Sequence, residues 1–201
     1  MRKEVRGLDA RLAERLEQVL DPDRLLLVSS PMRRALETAA CIAEKLNVRM
    51  SIHAGAFELN AEKPGTSPDQ IRSDLNKRKQ QQVADRLDFV QFGAVGDKWA
   101  FAQAGDRETE EEIGQRACRM RDYLTTTFAD LSPESGQTVA LVAHQTFLDQ
   151  LLHVLCKGSA RGSLWGSSEC PLYKLEKTGV IAVDVITEAD GSLTFNVKRW
   201  P

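Results

Sequence analysis

Residues 25–39 have the sequence Leu-Leu-Leu-Val-Ser-Ser-Pro-Met-Arg-Arg-Ala-Leu-Glu-Thr-Ala, in which a short apolar run ends at serines and continues as a predicted helix. The same transition recurs at residues 139–149, Val-Ala-Leu-Val-Ala-His-Gln-Thr-Phe-Leu-Asp, here with a histidine after the apolar run. Continuous apolar runs of this length are typical of parallel strands buried on both faces. In open α/β sheets, ligands bind at the carboxyl ends of such strands. An arginine after one strand and a histidine after another therefore predict an anion site.

The rest of the chain alternates predicted helices with strands. A helix over residues 8–20 precedes the first strand. In the next helix we expect Ser30 at the N-cap and Pro31 in the first turn, where its missing N–H costs nothing. That helix ends at Asn47, and a second strand covers residues 48–52. Two later strands, residues 180–186 and 193–197, are joined through Asp190-Gly191 as a hairpin. This order predicts a three-layer α/β/α domain with a mostly parallel central sheet that closes on an antiparallel hairpin.

Two further helices are predicted in the second half of the chain. Thr109 and Glu112 form a capping-box pattern at the start of a long helix. Its apolar face comprises Ile113, Ala117, Met120, Leu124 and Phe128. The helix after His144 runs to Lys157, and Gly158 is its stop residue.

We expect one domain over residues 1–201, with a partly helical, lid-like insertion at about residues 60–106. This insertion is polar and includes a basic run at residues 76–82, Asn-Lys-Arg-Lys-Gln-Gln-Gln. The alternative interpretation of the basic run is a solvated surface.

The composition excludes several classes of function. A net charge of −2 argues against a nucleic-acid partner, because such a protein needs a basic stripe. No apolar stretch reaches the roughly 18–20 residues that a membrane span needs, and the start of the chain does not resemble a signal peptide. The four cysteines are scattered, which predicts reduced thiols rather than disulfides or zinc ligands. We therefore expect a cytoplasmic protein that binds a small anion.

Two residues, Arg34 and His144, are candidates for the anion site on the basis of their positions in the sequence alone. Arg34 lies in the first turn of a helix, where a guanidinium beside backbone N–H groups forms a phosphate cradle; alternatively, it is a surface charge. His144 ends a buried strand and could act as acid, base or phosphate ligand; alternatively, it is a core histidine bonded to a carbonyl. The N–H groups of Gln145 and Thr146 could face the same anion.

Four stretches resemble, in the same order, the histidine phosphatase (phosphoglycerate mutase-like) superfamily. Residues 29–39, Ser-Ser-Pro-Met-Arg-Arg-Ala-Leu-Glu-Thr-Ala, are similar to its second motif, and residues 141–149 are similar to its second-histidine motif. Phe57-Glu58-Leu59 matches the position of the family's acid, and residues 105–112 resemble the entry of its long helix. Each motif is weak by itself, but four in register across residues 8–187 are specific.

The resemblance implies an enzyme that hydrolyses or transfers a phosphate monoester of a small substrate through a phosphohistidine. The nucleophilic histidine of an Arg-His-Gly motif splits one difficult displacement into two. Surrounding cations neutralise the phosphoryl oxygens, and no metal or other cofactor is needed. On this chain the resemblance implies Arg34 as a phosphate-binding arginine, His144 as the second histidine, both catalytic and phosphate-binding, and Glu58 as the catalytic acid. Without it, Glu58 would be interpreted as a surface carboxylate.

The nucleophile is missing, because Arg-His-Gly occurs nowhere in the sequence. The family has this motif at the end of a central first strand, before the helix with which this chain begins. Neither remaining histidine is expected to replace it, since His153 lies in mid-helix and His53 at a strand end near the pocket rim. Gln145 also stands where the family usually has glycine, and residues 177–179 where an asparagine is common.

Loss of a central strand would leave two neighbouring strands without a ladder partner. Each unpaired buried polar group costs roughly 1–3 kcal/mol, against a total stability of about 5–15 kcal/mol. We therefore expect a shortened chain, whose lost N-terminus could have included a targeting peptide, rather than a naturally inactive relative. As written, the chain is expected to be inactive. The alternative function is a non-catalytic phosphate-binding or interaction module, and the substrate and the oligomeric state stay open.

Overall fold

In the described part of the chain, the central sheet contains four parallel strands. The computed structural model describes residues 11–18, 20–58, 67–92, 108–130, 138–158, 180–188, 190 and 193–199. Strands β1 (Leu25–Ser29), β2 (Met50–His53), β3 (Leu87–Val90) and β4 (Thr138–Val142) lie in the order β3-β2-β1-β4. Strands β5 (Ile181–Thr187) and β6 (Leu193–Arg199) form a separate antiparallel pair. The predicted parallel sheet and antiparallel hairpin are confirmed.

The helices of the described residues follow the predicted alternation. They are α1 (residues 11–17), α2 (Arg33–Leu46), α3 (Pro68–Lys77), α4 (Gln81–Ala84), α5 (Glu110–Asp130) and α6 (Gln145–Lys157). Helix α2 ends at Asn47 and α6 ends at Gly158, both in the left-handed conformation that ends helices. The capping box of α5 is present, because the Thr109 amide donates to the Glu112 carboxylate over 2.7 Å and the Glu112 amide donates to the Thr109 hydroxyl over 3.2 Å.

Strand β4 shows that helices cover both faces of the sheet. Its Ala140 and Val142 pack against the core cluster formed mainly by α2, α3 and α4. The alternate residues Val139 and Leu141 pack against a second cluster, which α5 and α6 form. Successive side chains of a strand point to opposite faces, so the two clusters lie on opposite sides. The predicted three-layer arrangement is therefore confirmed.

Part of the segment that was expected to be lid-like belongs to the sheet. Strand β3 pairs in parallel with β2 along Met50–His53. The preceding helices contribute Ile71, Leu75, Val83 and Ala84 to the core cluster of α2. Residues 67–92 are thus held by core packing, which their polar composition does not reveal. The rest of the expected insertion lies outside the described residues, as do residues 1–10, 19 and 159–179.

Strand β4 is less buried than β1 and β2. Among the described strands it pairs only with β1, and Val139, Ala140, Leu141 and Val142 are each only partly buried, whereas all four residues of β2 are buried. No helix in the described part of the chain is both long and apolar enough to cross a membrane.

Candidate active site

The carboxyl ends of β1, β2 and β4 bring the candidate residues together. Ser29 of β1 lies opposite Val142 of β4, and the amide of Ser30 extends this pairing with a 2.8 Å bond to the Val142 carbonyl. Ser30 and His144 therefore follow two paired strands at the same edge of the sheet. Glu58 follows β2, which pairs with the other side of β1. The three candidate residues therefore follow strands that end at the same edge of the sheet.

Helix α2 begins two residues later than the sequence suggested. Pro31 was expected in the first turn and Ser30 at the N-cap, but the helix starts at Arg33 and Met32 is the N-cap. The hydroxyl of Ser30 accepts from the Met32 amide over 3.2 Å and also contacts His144. The shift occurs because Ser30 continues the β1–β4 ladder instead of capping the helix.

His144 is buried, and both of its ring nitrogens have partners. Nδ1 accepts a 3.0 Å hydrogen bond from Nε of Arg34, and Nε2 lies 2.7 Å from Oγ of Ser30. Because Nδ1 is an acceptor, the neutral ring has its proton on Nε2 and donates it to Ser30; this assignment follows from the hydrogen-bond network. The alternative of a histidine bonded to a backbone carbonyl does not describe this arrangement.

The surroundings of His144 keep its ring uncharged. Its pKa is lowered from 6.5 to about 3, mainly by burial and additionally by the positive charges of Arg34 and Arg116. A charged imidazolium could not accept the bond from Arg34, so the geometry and the pKa agree. The ring is therefore a neutral, oriented group above pH 4.

Glu58 is bonded to the first turn of the helix that follows His144. One carboxylate oxygen accepts from the Phe147 amide over 3.2 Å, and the other lies 3.9 Å from Nη2 of Arg34. A carboxylate at a helix N-terminus is stabilised by the unsatisfied N–H groups and the helix dipole. Arg34, Glu58 and His144, predicted from three separate stretches, thus lie in one cluster.

Arg116 and Glu108 were missed by the sequence analysis. Arg116 is 4% exposed and lies on the same face of α5 as Ile113 and Met120. It forms a bidentate salt bridge with Glu108, in which Nε donates to Oε1 over 2.7 Å and Nη2 donates to Oε2 over 2.5 Å. The detectable signal was an arginine on an apolar helix face, eight residues after a carboxylate at the helix entry.

Ser30 and His144 do not form a nucleophile and base of the serine-hydrolase type. In such triads a carboxylate orients the imidazole and stabilises its charged form. Here the third group is Arg34, a cation that lowers the basicity of the ring. Ser30 is also 0% exposed, so a substrate cannot reach its hydroxyl without rearrangement of the pocket.

The two other histidines lie in β2 and in α6. His53 is 1% exposed, its Nδ1 accepts from the Gly55 amide over 3.0 Å, and its ring packs against Tyr123. Burial lowers the pKa of His53 to about 4. His153 lies in the middle of α6 and is partly buried.

Within the described ranges, no group of three or more His, Cys, Asp or Glu side chains could hold a metal ion.

Comparison with known proteins identifies the family of this chain. The family model described as histidine phosphatase superfamily (branch 1) matches residues 9–179. This match covers most of the sequence, including every residue of the cluster, so the chain belongs to the histidine phosphatase superfamily. No curated protein sequence matches this chain.

Solved structures show the same fold at low sequence identity. Mycobacterial glucosyl-3-phosphoglycerate phosphatase complexed with VO3 is 20% identical, with a TM-score of 0.57 over 97% of this chain and 83% of that chain. The same protein with inorganic phosphate gives 19% identity, a TM-score of 0.55 and coverages of 97% and 84%. The α-ribazole phosphatase from Shigella flexneri is 17% identical, with a TM-score of 0.57 and coverages of 97% and 81%. At these identities the likeness concerns the fold alone.

Proposed function

We propose that the cluster of Arg34, Glu58 and His144 binds the phosphate group of a small phosphate monoester. The observation behind the proposal is that an exposed guanidinium, a neutral histidine and a helix N-terminus meet at the carboxyl edge of a parallel sheet. Helix N-termini and guanidinium groups are the two protein groups best suited to phosphate oxygens. A second cation, the buried Arg116, also acts on His144.

The cluster already holds one anionic group, the carboxylate of Glu58. Its two contacts are an amide N–H donor, that of Phe147, and a cation, Arg34, which are also the kinds of group that bind phosphate oxygens. The Arg34 side chain is 59% exposed, so its guanidinium can turn toward a ligand at modest cost. A bound monoester would have its phosphate near Arg34 and His144, and its leaving oxygen near Glu58, the acid in this proposal.

We propose further that these 201 residues bind phosphate but do not turn it over. The sequence has only three histidines. His144 has both nitrogens bonded, and His53 is enclosed beside Tyr123. The partly exposed strand β4, which pairs on one side only among the described strands, is consistent with an additional strand bearing the nucleophile. The complete enzyme would then transfer the phosphoryl group through phosphohistidine.

Phosphate binding is expected to weaken about tenfold or more in Arg34→Ala. This loss corresponds to about 1.5–3 kcal/mol for a hydrogen bond to a charged group. Isothermal titration calorimetry with inorganic phosphate and with vanadate measures it. The matched control is Arg33→Ala, because Arg33 is the adjacent exposed arginine and is paired with Glu37 instead. Equal affinities of the two variants, or no binding by the unmodified protein, would refute the proposed site.

Turnover of p-nitrophenyl phosphate is expected to be undetectable with these 201 residues. Robust turnover that is lost in His144→Ala would overturn the proposal that the nucleophile is absent. The same assay on a chain extended by the in-frame codons upstream of Met1 separates the two functional candidates. An added strand that ends in Arg-His-Gly and restores turnover supports the enzyme, whereas a stop codon close upstream favours a non-catalytic phosphate-binding module.

A further inference from the structure

Arg116 contacts both segments that form the candidate site. Its Nη1 donates to the carbonyls of Gly55 over 2.9 Å and Phe57 over 2.8 Å. Its guanidinium also lies 3.8 Å from the centre of the Phe57 ring and 4.7 Å from that of Phe147. One buried side chain thus connects the backbone just before Glu58 with the first turn of α6.

Glu108 fixes the orientation of this guanidinium. The carboxylate of Glu108 accepts from Nε and Nη2 of Arg116, and the two side chains are only 3% and 5% exposed, respectively. A two-bond pair of this kind fixes the plane of the guanidinium as well as its position. The opposite edge of the guanidinium is thereby aimed at the two carbonyls.

We propose that Arg116, oriented by Glu108, is a positioning residue that holds the Glu58 carboxylate against the amide of Phe147. It binds the carbonyl that immediately precedes Glu58, and it packs on the ring of the residue whose amide Glu58 accepts. Both ends of the Glu58 hydrogen bond are therefore fixed by the same group. The proposal deepens the proposed function, because it assigns the control of the acid's position to α5.

A lysine cannot reproduce this arrangement. The planar guanidinium of Arg116 donates to four oxygens. Two belong to the carboxylate of Glu108, and the other two are the carbonyl oxygens of Gly55 and Phe57. A lysine ammonium is a compact charge with three donors and no flat surface for the Phe57 and Phe147 rings. Arg116→Lys keeps the charge but removes the geometry, so it separates positioning from simple electrostatics.

The first test measures how far Glu58→Ala displaces the Phe147 amide resonance in proton–nitrogen NMR spectra at neutral pH. With the rest of the protein unmodified the resonance should move, because the amide donates to the Glu58 carboxylate. In the Arg116→Lys background we expect Glu58→Ala to move the resonance at least about twofold less. If Arg116→Lys does not fold, the double variant Arg116→Met, Glu108→Met removes both buried charges and takes its place.

Arg72 provides a matched control. Its guanidinium donates to the carbonyls of Ala84 and Leu87 and lies over the ring of Phe89, the same combination of contacts away from the site. Arg72→Lys should leave the movement of the Phe147 resonance unchanged. A Phe147 resonance that moves as fully in Arg116→Lys as in the unmodified protein would overturn the proposal.

A second measurement separates this inference from the proposed function. We expect Arg116→Lys, but not Arg72→Lys, to weaken binding of inorganic phosphate about fivefold, because a Glu58 carboxylate released from the Phe147 amide would compete with phosphate for Arg34. If the unmodified protein binds no phosphate while the Phe147 resonance still depends on Arg116, the proposed function fails and the positioning role stands. If both lysine variants bind phosphate equally well and the Phe147 resonance moves as far in Arg116→Lys as in Arg72→Lys, the positioning role fails and the proposed function stands.

Discussion

Arg116→Met is expected to lower the free energy of unfolding by about 3–5 kcal/mol, because it leaves the Glu108 carboxylate buried without a counter-charge. Both side chains of the pair are almost completely enclosed. A total stability of about 5–15 kcal/mol makes this a large fraction of the whole. Equilibrium unfolding in urea, followed by circular dichroism, measures the change.

Two companion variants identify the cause of this loss. Arg116→Met combined with Glu108→Met should recover most of the stability, since replacing a whole buried pair by apolar residues is often neutral or stabilising. Arg72→Met removes an arginine with similar carbonyl and ring contacts, and it should cost only about 1 kcal/mol. A single Arg116→Met variant no less stable than Arg72→Met would contradict the buried-charge explanation.

The second large effect is a loss of stability on mild acidification. His144 and His53 have pKa values lowered from 6.5 to about 3 and about 4 in the folded protein. The unfolded chain therefore binds these two protons first, and stability falls as the pH drops below 6.5. Each ring contributes up to about 1.4 kcal/mol per pH unit, a slope that is reached only when the unfolded-state histidine is mostly protonated. Between pH 6.5 and pH 5 the two rings together should remove about 3 kcal/mol.

Histidine variants show whether the slope belongs to these two rings. We expect His144→Gln and His53→Gln each to remove about half of the pH dependence between pH 5 and pH 6.5. Urea midpoints at half-unit steps of pH provide the measurement. The comparison uses slopes rather than absolute stabilities, because each substitution also changes packing. A slope that both variants retain in full would disprove the assignment.

The carboxylates with shifted pKa values act at lower pH and do not interfere. In Glu37 burial raises the pKa, but hydrogen bonds from Arg33 and Arg78 outweigh it and hold the pKa below 4.5. In Glu112 the bond from the Thr109 backbone amide lowers the pKa. Stability that depends on these groups is lost as the pH falls through their lowered pKa values, below the histidine range.

Much of the fold was predictable because its determinants are local. Apolar runs, the Thr109–Glu112 capping box and the stop residues Asn47 and Gly158 all occur in the structure where the sequence suggested. The start of α2 was misplaced because Ser30 extends a pairing with β4, more than a hundred residues away. Residues 67–92 were expected to leave the core, yet they supply strand β3 to the sheet.

The sequence by itself determined the order of strands and helices, the family and the three candidate residues, since each depends on a short local pattern. Only the tertiary structure decided how Arg34, Glu58 and His144 contact one another and which groups hold them. The sheet order sets these contacts, because it brings the ends of β1, β2 and β4 to one edge. Burial sets the rest: it keeps His144 neutral and encloses the pair of Arg116 with Glu108. Local sequence specifies neither, because both depend on which distant segments exclude water from the site.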